Sequence, residues 1–285
     1  MTDHWIHNLS PFAIHLWGDV GIRWYGLAYL VGIAWGYWMF VRWHRAGRSP
    51  LSPPQAQDFA LYAGLGMIIG GRLGYCLIYG RTHWAADPLY LFKLWEGGMA
   101  SHGGIAGLAI GSWLYARKRA VPLLVLCDMI CAVAPMGVLC GRLANFVNGE
   151  LWGHPSQVPW AVIFPAAGDG LPRHPSQLYE AFLEGLCLLV LIVPIHAAHR
   201  RLGLTTGVLL SGYAVARFIG EFFREADLGH PPYWGWMNKG QGLSIPVLVI
   251  GLAILVYALR RQPRPEAYVG LPPDERGSEG AKERG

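Results

Sequence analysis

The sequence predicts an all-α membrane protein whose seven transmembrane helices lead from an N-terminus outside the cytoplasm to a C-terminus inside it. The composition supports this class, because 53% of the 285 residues are hydrophobic and only 14% are charged, whereas a soluble domain typically carries about 25% charged residues. The other two observations are seven long apolar runs and a regular placement of basic residues between them. These two patterns give the number of spans and their direction.

The seven apolar runs have about 17 to 21 residues each, enough to cross the roughly 30 Å of hydrocarbon in a bilayer. In chain order, the predicted spans are residues 22–41, 59–79, 99–115, 121–141, 178–195, 206–223 and 243–259. Basic clusters follow the first, third, fifth and seventh spans, at residues 42–48, 117–119, 196–201 and 260–264. Because cytoplasmic loops collect Lys and Arg, these four ends are predicted to lie in the cytoplasm.

The segments outside the spans are predicted to be loops and tails. Residues 1–20 lack the positively charged start of a cleaved signal peptide, and their Trp5, Phe12 and Trp17 suggest docking at the membrane interface. Residues 265–285 are charged and poor in apolar side chains, so they are predicted to form a disordered cytoplasmic tail. The chain therefore divides into a membrane domain, residues 1–264, and this tail.

The most informative stretch is residues 141–153, at the outer end of the fourth span. Arg142 and Asn145 share one helical face, and Asn148 and Glu150 lie in the turn that Gly149 and Gly153 allow. An arginine at the membrane rim suits an anionic headgroup, which it binds with two parallel hydrogen bonds. The alternative is an arginine that extends to the interface beside glycines that end a helix.

A second polar group lies on the sixth span, where Tyr213, Arg217, Glu221 and Arg224 share one helical face. An arginine inside a span is costly, so it is expected to be paired or functional. Two interpretations stay open. Arg217 and Glu221 form a structural ion pair, or the pair holds the guanidinium ready for a phosphate.

The second and third spans carry polar or flexible residues whose interpretation is open. His102 precedes Gly103 and Gly104; these glycines allow a backbone or a ligand to approach closely, and the histidine is either structural or a general base. Arg72 lies near the middle of its span. It is either the partner of an acidic residue or part of a headgroup cavity. Near the fifth span, Ser176 is a plausible N-cap and Glu180 suits the first turns of a helix.

The predicted topology places the 141–153 stretch, His102, the Arg224 region and Tyr25 of the first span on the outer side. Other site chemistries are not supported. The five cysteines lie in apolar runs without CxxC spacing, and Cys140 is the one thiol to test for reactivity. No basic stripe for nucleic acid and no zinc or dinucleotide motif occurs. No nucleophile with its base occurs either, so an enzyme built this way would position two substrates that supply their own reacting groups.

These motifs resemble the prolipoprotein diacylglyceryl transferase family of the bacterial inner membrane. The matching stretches extend from Tyr25 to Pro246, nearly the whole membrane domain, and 141–150 is the most specific; they are residues 102–104, 141–150, 174–180, 217–224 and 240–246. The resemblance implies transfer of the diacylglyceryl group of phosphatidylglycerol to the lipobox cysteine of a prolipoprotein. It also implies a periplasmic active site and neither a metal nor a cofactor.

The resemblance further implies roles for individual residues. Arg142 and Arg217 correspond to the family's essential guanidiniums, and His102 to its proposed base. The predicted substrate-binding residues are Tyr25, Arg72, Gly103, Gly104, Asn145, Asn148, Glu150, Gly153, Tyr213, Glu221 and Arg224. The alternative function is a lipid or small-solute transporter, which the odd number of spans and the lack of an internal repeat disfavour. An intramembrane protease is disfavoured by the lack of a catalytic pair.

Overall fold

The computed structural model describes residues 4–17, 20–93, 98–225 and 237–269, and these are mainly helical. Seven long helices occur in the described part of the chain, together with the short α3. In chain order they are α1 (Trp24–Arg45), α2 (Pro53–Ile78), α3 (Arg81–Ala86), α4 (Ser101–Arg119), α5 (Leu123–Asn148), α6 (Ser176–Ala198), α7 (Leu204–Gly220) and α8 (Lys239–Arg260). Each predicted span overlaps one of the long helices.

Four of these helices, α2, α5, α6 and α8, are long and apolar enough to cross a membrane, and α7 is a shorter apolar helix. The class of the protein, a mainly helical membrane protein, is therefore confirmed. The count of seven spans and the orientation of the termini stay predictions.

The prediction of an all-α chain is wrong in detail, because two small sheets are present. Strand β2 (Phe12–Trp17) pairs antiparallel with β3 (Val20–Arg23). The other sheet has the order β1 (Trp5–Ile6), β4 (Val162–Ile163), β5 (Pro172–Arg173). These strands have two to six residues, too few for an alternating pattern to stand out.

The predicted disordered tail is also corrected at its start. Pro265–Tyr268 form a 3₁₀ turn whose Tyr268 is buried, so disorder does not begin at residue 265. The rest of the predicted tail, from residue 270 onward, lies outside the described residues.

Contacts between Cα atoms divide the chain into two units, of which the first comprises residues 1–39 and 128–264. Glycines allow its helices to approach closely. A side chain at Gly185 of α6 would meet Leu139 of α5, and one at Gly251 of α8 would meet Ser211 of α7. Small residues at such crossings are typical of helices that pack within a membrane.

Among the described residues, the second unit comprises 40–93, 98–127 and 265–269. Its main contact joins α2 and α4. Gly66 and Gly70 of α2 face Gly103 and Gly107 of α4 so closely that an added Cβ would overlap the opposite backbone. The structure therefore supports the interpretation that Gly103 allows another backbone, rather than a ligand, to approach closely.

Asp128 of α5 is buried and caps the N-terminus of α7, in the first unit. Its carboxylate accepts hydrogen bonds from the backbone N–H groups of Gly203, at 2.7 Å, and Thr206, at 2.8 Å, and from the Thr206 hydroxyl, at 2.7 Å. The first N–H groups of a helix lack partners within the helix, so a carboxylate from α5 fixes where α7 begins.

We expect Asp128→Ala to lower the free energy of unfolding by about 1–3 kcal/mol, because it leaves buried donors without an acceptor. Asp128→Asn should lower it by less, since its amide oxygen still accepts from Thr206. Denaturation of the detergent-solubilised protein measures both effects, with Glu266→Ala at an exposed position as the control. If Asp128→Ala were no less stable than that control, the capping role would be wrong.

Candidate functional site

Two arginines from different helices meet at one buried carboxylate. Arg142 lies in the last two turns of α5, and Arg217 lies in the last turn of α7, which ends at Gly220, three residues before the predicted end of the sixth span. Glu180 of α6 binds both guanidiniums: its Oε2 is 2.9 Å from Arg142 Nη1, and its Oε1 is 2.5 Å from Arg217 Nη1. A single side chain thus joins three helices.

Two further carboxylates and a third arginine complete this group. Glu184 Oε2 accepts from Arg142 Nε at 3.2 Å and from Nη2 at 3.0 Å, and Glu221 pairs with Arg217 Nη2. Arg224 Nη1 lies 3.8 Å from Glu180 Oε1. We call these six side chains the charge cluster: Arg142, Arg217, Arg224, Glu180, Glu184 and Glu221. With three cations and three anions, it is formally neutral.

The charge cluster has a buried side and an accessible side. The side chains of Glu180 and Glu184 are 0% exposed, whereas those of Arg142 and Arg217 are each 16% exposed. Tyr213, one turn before Arg217, is close enough to interact with the charges of Glu184 and Arg142. Arg142 and Arg217 are therefore partly accessible, while buried carboxylates neutralise their charge from the other side.

The helix that carries both buried carboxylates is irregular where they lie. Glu180 ends the first α-helical turn of α6, and Ala181–Cys187, which contains Glu184, is π-helical. Such segments are rare and occur mostly at functional sites. Gly185, within the same segment, contacts Leu139 of α5 and brings α6 close to the helix of Arg142.

A neighbouring hydrogen-bonded chain joins α1 to the end of α5. Asn145 Nδ2 donates to Tyr25 Oη at 2.8 Å and to Glu150 Oε1 at 3.0 Å, and Asn148 Nδ2 is 3.5 Å from the same carboxylate oxygen. Four predicted substrate-binding residues thus form one polar group, one turn of α5 beyond Arg142.

The turn after α5 is built as its glycines predict. α5 ends at Asn148, and Gly149 follows with a φ of +65°, a conformation that glycine adopts without strain. The side-chain amide of Gln177 donates to the Glu150 carbonyl at 2.6 Å. The prediction that Ser176 is the N-cap of the fifth span is wrong by one residue: Pro175 holds that position, and the Ser176 hydroxyl donates to the Leu151 carbonyl at 3.1 Å.

Gly153 connects this turn to the end of α7. It forms a β-bridge with Arg224, and its N–H donates to the His174 carbonyl at 2.9 Å. A Cβ at this position would overlap the carbonyl oxygens of Phe223 and His174. Glycine is required here by close packing of the backbone, which positions Arg224 within the charge cluster.

An ion-pair group in the loop outside the helices supports the same turn. Arg173 pairs with Asp169 and, at 2.6 Å, with Glu225, and it also donates to the Gly153 carbonyl at 3.2 Å. The hydrogen bond from Arg173 lowers the pKa of Asp169. Burial, with a contribution from the charge of His154, lowers the pKa of His174.

The remaining predicted residues belong to the second unit. Arg72 is buried and donates to four backbone carbonyls, those of Tyr90, Leu91, Lys93 and Gly98. Arg72 therefore holds these backbone segments together. His102 is exposed in the first turn of α4, and a Cβ added at Gly104 would be in van der Waals contact with Met67 of α2.

The first unit thus contains most of the predicted site residues, which are Tyr25, Arg142, Asn145, Asn148, Glu150, Gly153, Tyr213, Arg217, Glu221 and Arg224. Sequence reasoning missed Glu184 and gave Glu180 a helix-dipole role rather than the pairing role that it has. The available signal was two carboxylates four residues apart at the start of a membrane span, where acidic side chains are rare and need partners.

Comparison with known proteins agrees with these motifs. Residues 11–257 match the model of the family described as prolipoprotein diacylglyceryl transferase. The chain is 42% identical over 263 residues to a protein of Idiomarina loihiensis, covering 92% of this chain and 98% of that one. It is 46% identical over 266 residues to a protein of Methylocella silvestris, and this alignment covers 90% of this chain and 96% of that protein. Both relatives are named phosphatidylglycerol–prolipoprotein diacylglyceryl transferase.

Proposed function

The chain belongs to the prolipoprotein diacylglyceryl transferase family, and we propose that it transfers the diacylglyceryl group of phosphatidylglycerol to the lipobox cysteine of a prolipoprotein. It is thus a transferase that acts on a membrane lipid and a protein. The observation that carries the proposal is the convergence of Arg142 and Arg217, both partly exposed, on the buried Glu180, which holds two guanidiniums close together for a phosphate.

The chemistry of this transfer explains why guanidiniums are needed. The sulfur of the prolipoprotein cysteine forms a bond to a glyceryl carbon, and the bond from that carbon to the phosphate oxygen breaks. The bonding electrons leave with the phosphate as glycerol-1-phosphate, and the thiol proton passes to a base. Negative charge grows on the departing oxygen, so fixed positive charge there stabilises the transition state. We assign this task to Arg142 and Arg217.

We expect purified protein, phosphatidylglycerol and a lipobox peptide to give a peptide with the added mass of a diacylglyceryl group, and a Cys→Ser peptide to give none. Arg142→Ala should lower the rate by about 10²–10³-fold, the usual loss when one transition-state donor is removed. Arg142→Lys should recover part of it, because the charge remains while the paired hydrogen bonds are lost. Mass spectrometry measures each rate.

Arg264→Ala, at an exposed position, is the matched control and should keep full activity. Equal rates for Arg142→Ala and this control would refute the role of Arg142. Lipid flux in liposomes with no thioether formed would instead support the transporter alternative, and a cleaved peptide would support a protease.

His102 is the family's candidate base and is proposed to accept the thiol proton. A cysteine thiol has a pKa of about 8.5, so a base matters most below that pH. We expect His102→Gln to lower the transfer rate at pH 7 and the ratio of wild-type to variant rates to shrink as the pH rises past about 8.5. A ratio that stays constant with pH would exclude this role. The same peptide assay, run from pH 6.5 to 9.5, measures it.

The proposed setting is the bacterial inner membrane, crossed by seven helices with the active site toward the periplasm. The basic clusters after alternate helices support this orientation. Reporter proteins fused after residues 48, 119, 201 and 264 should report the cytoplasm, and fusions after residues 80, 160 and 225 the periplasm. Two consecutive junctions on the same side would refute the count of seven spans.

A further inference from the structure

Glu180 contacts every guanidinium of the charge cluster. Its two oxygens lie 2.5 Å from Arg217, 2.9 Å from Arg142 and 3.8 Å from Arg224. Glu184 adds contacts at 3.0 Å to Arg142 and 3.5 Å to Arg217. The cations proposed to bind the phosphate are therefore paired with anions of the protein itself.

These carboxylates lie on the buried side of the guanidiniums. Glu180 and Glu184 have no exposed side-chain surface, while Arg142 and Arg217 keep 16% and Arg224 keeps 12%. A phosphate can thus contact the accessible guanidinium edges while both carboxylates stay in place. Because the cluster is formally neutral, the phosphate meets a much weaker positive field than three unpaired arginines would create.

Substrate and product differ in charge, and this difference explains why pairing the arginines with carboxylates would help the reaction. The phosphodiester of phosphatidylglycerol carries one negative charge, whereas the phosphate monoester that departs carries up to two, since the second pKa of such groups is about 6. Three unpaired guanidiniums would hold the product more tightly than the substrate. Internal carboxylates reduce this preference and let the product leave.

We propose that Glu180 and Glu184 are positioning residues of the phosphate site, built-in counter-ions that orient the guanidiniums and weaken anion binding enough for the product to exchange. This inference rests on the proposed function, which it extends to two residues to which neither the sequence motifs nor the family resemblance gave a role in binding. Glu180 has the larger effect because it contacts three guanidiniums rather than two.

Anion binding without turnover tests this role. Glu180→Gln keeps the shape of the side chain but removes its charge, so inorganic phosphate should bind and stabilise the variant at a concentration at least tenfold below that needed for the wild type. Glu184→Gln should shift in the same direction by less. Thermal unfolding of the detergent-solubilised protein over a phosphate titration measures both. The matched control is Glu225→Gln, which removes a carboxylate paired with Arg173 outside the cluster.

A purely structural role predicts a different result. Both variants would then be less stable than the wild type, and phosphate would not restore them preferentially. Phosphate binding by Glu180→Gln that is equal to or weaker than binding by the wild type or by Glu225→Gln overturns the proposal. So does a Glu180→Gln variant that fails to fold even in phosphate while Glu184→Gln folds with unchanged phosphate binding.

Turnover separates this inference from the function on which it rests. In the peptide assay, Glu180→Gln should lower the KM for phosphatidylglycerol, lower kcat and make glycerol-1-phosphate a stronger inhibitor by a similar factor. If the wild-type protein transfers no lipid, the proposed function fails, whereas the phosphate titration still reports on the counter-ions. If the wild type is active and KM and product inhibition are unchanged in Glu180→Gln, only this inference fails.

Discussion

The ion pairs of Glu180 with Arg142 and Arg217 constrain the rest of the first unit. A buried charge is strongly destabilising unless its partner is at contact distance, and removal of one partner from such a pair typically costs about 3–5 kcal/mol. Because the three side chains come from α6, α5 and α7, all three helices must approach closely and in one relative register. The site and the helix packing are therefore consequences of the same electrostatic requirement.

Small residues and caps make this register possible. Gly185 lets α6 contact α5 one helical turn from Glu180, and Gly240 provides room beside the Glu221 side chain at the start of α8. At the opposite end of α5, Asp128 caps the first turn of α7. The N-terminus of α7 is fixed by this cap, and its last turn carries Arg217. The position of Arg217 along the helix axis relative to Arg142 is therefore determined by helix packing rather than by loops.

The parts predictable from sequence were those encoded by local patterns. Length and apolarity identified each long helix, and the spacing of Gly149 after Asn148 identified the end of α5. What sequence left open was the partner of each charge. Glu184 lies in an apolar run typical of any membrane-spanning helix. Its partner Arg142 is 42 positions away in the sequence, so no local pattern indicates the pairing. The backbone carbonyls that bind Arg72 could not be predicted for a similar reason, because such acceptors have no sequence signature.

The neutrality of the charge cluster also reconciles two demands on a lipid-modifying site. Arginines buried without partners would be strongly destabilising, while a site without fixed charge would have to reorganise its surroundings as a phosphate departs. Paired guanidiniums meet both demands, since the carboxylates offset the burial penalty during folding and leave the donors oriented before substrate arrives. Under the proposed function, the same pairing that allows Arg142 and Arg217 to be buried would also determine how strongly they bind a phosphate.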